Sequence, residues 1–246
     1  MSEIRNLDVY QQKEIAEKYR NKLDKRKGLC SFDERYIKLN IKRGFKILDL
    51  GCGTGRHILK FGKVANFVGV DISPHMIQIA KSQLNKRKIK SKLIVGDMME
   101  LDKILKNEKF DMVLLMYHTL GCIVPERKRI SLLKQIKKLL KKDGILILHA
   151  HNRNHLKNIK FIFKTFLNVI FNKDKLEFGD KLIEHGELTG AIVHFFNKQE
   201  IKRILELTGF KIIEFIHLEF PEESKEIKGL RKYFFSGGFM VKANAL

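Results

Sequence analysis

Residues 46–56 combine an apolar run with three closely spaced glycines, Gly51, Gly53 and Gly55. The branched and leucine side chains before the glycines suit a buried strand. Glycine then lets the backbone turn tightly at a point where any side chain would block a ligand. The segment therefore predicts a strand that ends in a ligand-binding turn.

The charges around this turn indicate which kind of ligand it takes. A nicotinamide-type fingerprint would place its third glycine at residue 56, but Arg56 stands there. Asp49 lies on the strand just before the turn, where its carboxylate would repel a pyrophosphate and attract an ammonium group. The pattern favours a ligand that carries a positive charge.

Two more apolar runs follow, and each of them ends on an aspartate. Asp71 lies 20 residues after Gly51, the separation at which an acid meets a ribose diol. Asp97 closes the next run. Because the carboxyl ends of neighbouring parallel strands border one crevice, these two acids and Asp49 should face the same ligand. Taken alone, each could instead cap a helix or form a turn.

These segments resemble the motifs of the class I methyltransferases that use S-adenosylmethionine. ILDLGCGTGR is similar to the first motif of that family, VGVDIS to the second, VGDMMEL to the third and FDMVLLMYHTLG to the fourth. The resemblance is close over residues 40–152 and looser over residues 195–243. It implies an α/β fold: a doubly wound, mainly parallel, seven-stranded Rossmann-like sheet with an antiparallel C-terminal strand pair and a helical lid insertion.

The resemblance also implies S-adenosylmethionine as the cofactor and a way of holding it. Asp49 and the glycine turn would hold the methionine part, Asp71 the ribose hydroxyls, and Asp97 with Met98 the adenine. Carboxylates accept hydrogen bonds from ammonium, hydroxyl and amino groups, which agrees with these roles. The predicted cofactor-binding residues are Asp49, Gly51, Cys52, Gly53, Gly55, Asp71, Ile72, Asp97, Met98 and Met116.

Some residues of the turn also have simpler interpretations. Cys52 is small and apolar enough to fill the turn, and it is not predicted to be a nucleophile. Gly55 could serve only the close packing of helix against sheet. Arg56 could be a solvated or substrate-side charge.

Methyl transfer from a sulfonium depends mainly on positioning, since the leaving group is already excellent. A base is needed only when the nucleophile must lose a proton. The predicted catalytic residues are Tyr117, as a substrate-orienting hydroxyl, and His118, as a general base near neutral pH. Both follow the fourth predicted strand. His118 could equally be a buried structural group that bonds a backbone carbonyl.

A second polar cluster, residues 149–155, follows the fifth predicted strand, where substrate loops collect in such sheets. Strand alternation puts His149 and His151 on one face. No carboxylate or cysteine is fixed beside them by the sequence, so no metal site is predicted. His185 and His194 could approach the same pocket.

The chain has 246 residues and a formal net charge of +21, from 49 basic and 28 acidic residues. The length suits one α/β domain. Three cysteines without metal-ligand spacing and a polar N-terminal sequence predict a reduced, cytoplasmic protein. The predicted parts are an N-terminal helical cover (1–42), a cofactor-binding core (43–152), a lid or substrate insertion (153–197), and a C-terminal helix with a strand pair (198–246).

The predicted helices and strands alternate along the core. The sequence predicts helices over residues 9–27, 32–42, 55–63, 74–86, 99–107, 125–141 and 198–208. Beyond the four motif strands, it predicts strands over 145–150, 210–220 and 233–242.

No stretch reaches the roughly 20 apolar residues that a membrane span needs. The closest approach is residues 157–172, in which Lys160, Lys164 and Asn168 recur every four residues. That spacing predicts a helix with a narrow polar stripe. We expect a lid over the site, with an interfacial membrane anchor as the alternative.

The methyl acceptor is the remaining question. The positive charge makes tRNA a candidate partner, but the lysines are spread over every predicted helix and no RNA-binding module is apparent. The Asn-Pro-Pro-Tyr tetrad of base-amino methyltransferases is absent, since residues 116–119 read Met-Tyr-His-Thr. The sequence predicts transfer to an N or O nucleophile of a small molecule. The alternatives are a tRNA methyltransferase of the wobble-uridine-modification type and a non-catalytic, cofactor-binding partner subunit; the oligomeric state is left open.

Overall fold

The computed structural model describes residues 2–17, 27–156, 163, 176–183, 189–219 and 225–246. Residues 13–17 are helical, and two short 3-10 helices span Met98–Glu100 and Thr119–Cys122. The named helices are α1 Ser2–Gln11, α2 Lys27–Asn40, α3 Arg56–Phe61, α4 Pro74–Lys86, α5 Leu101–Leu105, α6 Glu126–Leu139, α7 Lys198–Leu207 and α8 Lys232–Phe235. The strands are β1 Lys46–Leu50, β2 Asn66–Asp71, β3 Lys92–Val95, β4 Phe110–Leu115, β5 Leu140–His151, β6 Asp180–Leu182, β7 Ile192–His194, β8 Phe210–Glu219 and β9 Ser236–Ala245.

Seven of these strands form one sheet in the order β3-β2-β1-β4-β5-β9-β8. β1 to β5 pair in parallel, and β9 runs antiparallel to both of its neighbours, β5 and β8. The predicted doubly wound sheet with an antiparallel C-terminal addition is confirmed. From β1 the strands that follow in sequence run to one side, through β2 to β3, and from β4 they continue on the other side. Sheets of this kind bind ligands in the crevice between the two central strands, here β1 and β4.

The sheet is covered on both faces. Alternation along β1 sends Leu48 and Leu50 into one buried cluster and Ile47 into the other. α6 and α7 pack against the first cluster, and α2, α3 and α4 pack against the second. Burial of both faces is the reason that the strands read as continuous apolar runs.

Local sequence signals explain several helix ends. Ser73 caps α4 by accepting a hydrogen bond from the Met76 amide, and Pro74 occupies the first turn. Asn197 caps α7 by accepting from the Glu200 amide at 2.8 Å. Gly209 follows that helix in the left-handed conformation, with φ of 79°.

Four details differ from the predictions. The predicted helix over 9–27 instead begins at Ser2 and is interrupted at Gln12. β5 begins at Leu140, and Asp143, with φ of 63°, forms a bulge in it. Residues 233–235 belong to α8 rather than to a strand, because pairing in β9 ends at Ser236. The β6–β7 pair was not predicted.

The predicted helix over 157–172 lies outside the described residues, apart from Phe163, so the choice between lid and anchor stays open. The domain boundaries given above also stay predictions. Among the described residues, every helix is too short or too polar to cross a bilayer.

Candidate cofactor and acceptor site

The glycine turn after β1 has the backbone that its sequence predicts. Gly51, Gly53 and Gly55 have φ angles of 68°, 53° and 79°, in the left-handed region that favours glycine. A Cβ atom on Gly51 would lie 2.8 Å from the Thr119 side chain, whereas one on Gly53 would meet no atom within 4 Å. A larger residue at position 51 would clash with Thr119. At position 53 a side chain would instead project into open space that no protein atom fills.

That open space is a cavity of about 330 Å³ at the carboxyl edge of the parallel strands. Its volume falls in the range of small-ligand sites. Ten of the predicted site residues line it: Gly51, Cys52, Gly53, Asp71, Ile72, Asp97, Met98, Met116, Tyr117 and His118. Asp49 and Gly55 do not.

Gly55 instead serves helix packing. It precedes α3, and a Cβ atom on it would lie 3.2 Å from the Ala80 Cβ of α4. Gly55 therefore allows close packing of helix against helix, α3 against α4, where the simpler interpretation expected helix against sheet.

Asp71 ties the glycine turn to the end of β2. Its carboxylate accepts hydrogen bonds from the Gly53 amide at 2.8 Å and from the Ser73 amide at 2.9 Å. Burial raises the pKa of Asp71 above its ordinary value, although the two backbone donors favour the ionised form. The carboxylate is thus fixed in position at the cavity wall.

Asp97 combines the two roles that its sequence position allows. One of its carboxylate oxygens accepts from the Met99 amide at 2.8 Å and caps the 3-10 helix that follows. The residue also lines the cavity. A helix cap and a ligand contact are compatible because an ionised carboxylate has about four acceptor positions.

Asp49 does not reach the cavity directly. It is buried, and its Oδ2 lies 3.3 Å from Nδ1 of His57, which lines the cavity in its place. The structure places His57, rather than Asp49, at the cavity wall, and the contact of Asp49 with a ligand ammonium stays a prediction. The Nε2 atom of His57 is buried and has no hydrogen-bond partner among the described residues. The sequence signal for this histidine was its position on the first turn of the helix after the glycines.

His118 does not have the environment of a general base. Its Nδ1 accepts a hydrogen bond from the His151 amide at 2.8 Å, so the ring proton of the neutral form is on Nε2. Burial lowers the pKa of His118 well below its ordinary value, and the imidazoles of His151 and His149 lower it further. The lowered pKa favours the buried structural interpretation, with a backbone amide as the partner instead of the expected carbonyl. The role of His118 as a general base stays a prediction. Tyr117 lines the cavity as predicted.

His149 and His151, at the end of β5, have different surroundings. His149 is fully buried, and its Nδ1 lies 3.3 Å from Asp33 of α2, which also bonds Arg56 at 3.1 Å. The ring of His151 lies on the same face, 5.8 Å from that of His149, and it lines the cavity. It packs tilted against His118, at a centroid distance of 4.2 Å, and stacks on Phe195 at 5.6 Å; His118 and Phe195 also contact each other, at 5.4 Å. Of the histidines in residues 149–155, His151 is therefore the one that lines the cavity.

His194 belongs to a buried ion network rather than to the cavity wall. Its Nδ1 and Nε2 each lie 2.7 Å from a carboxylate, of Asp180 and Glu200 respectively. Glu177 comes close to His194 and Asp180, and the three could hold a metal by distance alone. The Arg129 guanidinium, however, lies 2.8 Å from Glu177 and would repel a cation. The absence of a metal site, predicted for His149 and His151, stays a prediction. His185 lies outside the described residues.

The N-terminal helix covers the cavity. Asn6 of α1 donates to the carbonyls of Cys122 and Ile192 at 2.9 and 2.8 Å, and accepts from the Ile192 amide at 2.7 Å. The hydroxyl of Tyr10 lies 3.1 Å from the Cys122 sulfur. Asn6 and Tyr10 both line the cavity, so α1 encloses one side of it.

Comparison with known proteins identifies this arrangement. Residues 41–209 match the family model described as a methyltransferase domain. The chain belongs to this family. The predicted methyltransferase activity and S-adenosylmethionine as its cofactor are thereby confirmed at the level of the family.

The relatives of this methyltransferase cover most of its length. An uncharacterized protein of Methanocaldococcus jannaschii is 30% identical over 205 residues, which are 81% of this chain and 74% of that protein. Demethylmenaquinone methyltransferase of Staphylococcus aureus is 26% identical over 80% of this chain and 81% of its own. A solved S-adenosylmethionine-dependent methyltransferase of Methanosarcina mazei shares the fold, with a TM-score of 0.68 at 23% identity over 86% of this chain and 97% of that one.

We expect Asn6→Ala to loosen the cover of the methyltransferase. The substitution leaves the buried Ile192 amide without its acceptor, which costs about 1–3 kcal/mol. Release of S-adenosylhomocysteine should become roughly tenfold faster in stopped-flow measurements, because α1 encloses the cavity. Asn40→Ala is the matched control, since Asn40 bonds Tyr36 and Lys242 away from the cavity. An equal effect of both substitutions on the release rate would contradict this role of α1.

Proposed function

We propose that the methyltransferase transfers a methyl group to an N or O nucleophile of a small molecule with an apolar body. The observation that carries this proposal is the apolar lining of the cavity beyond the glycine turn, together with its cover by α1 on one side. Apolar side chains of Ile123, Ile183, Val193 and Phe195 line that part of it. α1 and β7 close it through Asn6. An apolar cavity wall suits a small apolar acceptor better than a nucleotide of an RNA chain, which is polar and carries charged phosphates.

The described residues fit the cofactor. The surface at Gly53 is open to a ligand, and the fixed carboxylate of Asp71 would accept from the ribose hydroxyls. Asp97 and Met98 would hold the adenine. The unpartnered Nε2 of His57 would accept from the ammonium group, because Asp49 beside Nδ1 favours the tautomer with its proton there. Asp49 would then act on the ammonium through His57.

The chemistry is an in-line displacement. The cofactor, when bound, would supply an electrophilic methyl group on a sulfonium, and its sulfur would keep the electron pair of the carbon–sulfur bond as the leaving group. The acceptor lone pair forms the new bond to carbon, and a proton leaves the acceptor nitrogen or oxygen. Tyr117 would orient that nucleophile. His151 would receive the proton, because its ring packs against both His118 and Phe195 and lines the cavity.

The relatives lend support to an apolar acceptor. Demethylmenaquinone methyltransferase, which resembles this chain over most of both lengths, is named for a quinone substrate. The net charge of +21 is also compatible with binding to tRNA.

The proposal is tested by following labelled methyl groups from S-adenosylmethionine into fractions of a cell extract. We expect label in an organic-soluble small-molecule fraction and none in total tRNA at physiological salt. His151→Asn should lower kcat by about 100-fold, a typical loss for a general base. Tyr117→Phe should lower it about tenfold, roughly 1.4 kcal/mol of activation free energy. The Kd for the cofactor should stay within about twofold in both variants, since neither substitution changes the glycine turn or its acids.

The matched control is His155→Asn, because His155 follows the same strand and is buried but does not line the cavity. Its kcat should stay within about twofold of the wild-type value. Methyl transfer into one tRNA species would overturn the small-molecule proposal. An unchanged kcat in His151→Asn would overturn the role of that histidine.

A further inference from the structure

An exposed apolar surface lies far along the chain from the glycine turn. It comprises Leu230, just before α8, and the three aromatic residues of α8, Tyr233, Phe234 and Phe235. Leu230 is 79% exposed, Tyr233 55%, Phe234 53% and Phe235 43%. Soluble proteins rarely present neighbouring large apolar side chains to water without a partner. We call residues 225–235 the aromatic–basic surface.

The same surface carries positive charge. Residues 225–235 contain four basic residues, Lys225, Lys228, Arg231 and Lys232, and one acidic residue, Glu226, which pairs with Lys228 at 3.3 Å. The Arg231 guanidinium lies 5.9 Å from the centre of the Phe235 ring, and the Lys232 ammonium 5.2 Å from that of Tyr233. Cations and rings are thus interleaved.

Neighbouring elements extend the positive charge. Burial lowers the pKa of Lys198 on α7, and the nearby ammonium groups of Lys202 and Lys232 lower it further. Since like charges repel, this face stabilises a bound anion.

The aromatic–basic surface lies at the same edge of the sheet as the cavity. α8 leads directly into β9, in which Gly238 pairs with His151 at the end of β5. The Asn152 side chain donates to the Ser236 carbonyl at 2.8 Å, and the Phe235 ring lies 6.4 Å from that of His155. A partner bound to this surface would therefore sit on the ligand-facing side of the methyltransferase.

We propose that the aromatic–basic surface docks the protein on bilayers that contain anionic lipid. Aromatic side chains settle at the boundary between headgroups and acyl chains, and lysines and arginines beside them attract the anionic headgroups. This combination of exposed rings, leucine and cations is typical of surfaces that lie on a membrane.

Two other occupants fit the surface less well. A base-stacking surface for RNA uses flat rings, but the most exposed side chain here is Leu230, which has no ring. A second copy of the chain would bring two basic surfaces together, and their charges would repel each other. The aromatic–basic surface, residues 225–235, does not include residues 157–172, for which the sequence predicts a lid or a membrane anchor.

The test is co-sedimentation of the full chain with phosphatidylcholine vesicles, with and without about one-third phosphatidylglycerol, at about 0.15 M salt. We expect at least tenfold more binding to the anionic vesicles. The double variant Leu230→Ser/Phe234→Ser should reduce that binding at least fivefold, because it removes apolar side chains without changing the charge. Arg231→Glu/Lys232→Glu should reduce it at least as much.

The matched control is Lys81→Glu/Lys86→Glu, which makes the same charge change at exposed positions on α4. Vesicle binding of this control should stay within about twofold of wild type. Calorimetry with S-adenosylhomocysteine confirms that each variant is folded, and no step depends on the methyl acceptor.

Three results would overturn the proposal. The wild-type protein could fail to sediment with anionic vesicles. The control could lose as much binding as Arg231→Glu/Lys232→Glu, which would mean that only the total charge matters. Leu230→Ser/Phe234→Ser could keep its vesicle binding while losing affinity for tRNA, which would make the surface an RNA site.

Discussion

Gly53→Ala should weaken the binding of S-adenosylmethionine about 100-fold, which corresponds to roughly 2.7 kcal/mol. The added methyl group would stand in the open space that Gly53 keeps clear, because a Cβ atom there meets no protein atom within 4 Å and the residue lines the cavity. The measurement is isothermal titration calorimetry with the cofactor. The substitution also forces alanine into a left-handed backbone, at a cost of about 1–2 kcal/mol in stability.

Gly44→Ala separates these two effects. Gly44 has φ of 82° in the turn before β1, and a Cβ atom on it would also meet nothing within 4 Å, but it does not line the cavity. The melting temperature of Gly44→Ala should fall by about as much as that of Gly53→Ala, while its affinity for the cofactor stays within about twofold of wild type. Equal losses of affinity in the two variants would mean that the glycine turn does not hold the cofactor.

Asp71→Asn should weaken cofactor binding by about 1.5–3 kcal/mol, because it removes the charged acceptor for the ribose hydroxyls. The stability of the ligand-free protein should fall by about 1–3 kcal/mol. Asparagine has one acceptor oxygen, but the Gly53 and Ser73 amides bond different oxygens of the Asp71 carboxylate, so one of these amides would lose its acceptor. Asp71→Ala should also lower the apo melting temperature, since both amides lose their acceptor.

Asp111→Asn is the control for this second prediction. Asp111 also accepts from a backbone amide, that of Lys46 at 2.8 Å, but at the opposite end of the sheet. Its substitution should leave the affinity for S-adenosylmethionine unchanged in the same titration. If Asp71→Asn binds the cofactor normally, the carboxylate serves only to hold the glycine turn.

The sheet was predictable because its signals are local. Each parallel strand is an apolar run buried on both faces, and the strands near the site end on a glycine or an acid that marks the turn. β6 and β7 escaped prediction because each has only three residues, too few for an alternation pattern. The aromatic residues 233–235 favour a strand by propensity, but they lie beyond the last paired residue of β9 and form a helical turn.

The sequence by itself determined the methyltransferase family, the parallel sheet, the glycine turn, and the placement of Asp71 and Asp97 at the cavity, because strand direction brings those residues to one edge. The tertiary structure decided the rest. His57 lines the cavity beside Asp49, and burial lowers the pKa of His118, whose Nδ1 accepts from the His151 amide, 33 residues away. Asn6 closes the site by bonding Ile192, 186 residues away. These features depend on burial and on contacts between distant segments, and no local pattern of residue types encodes them.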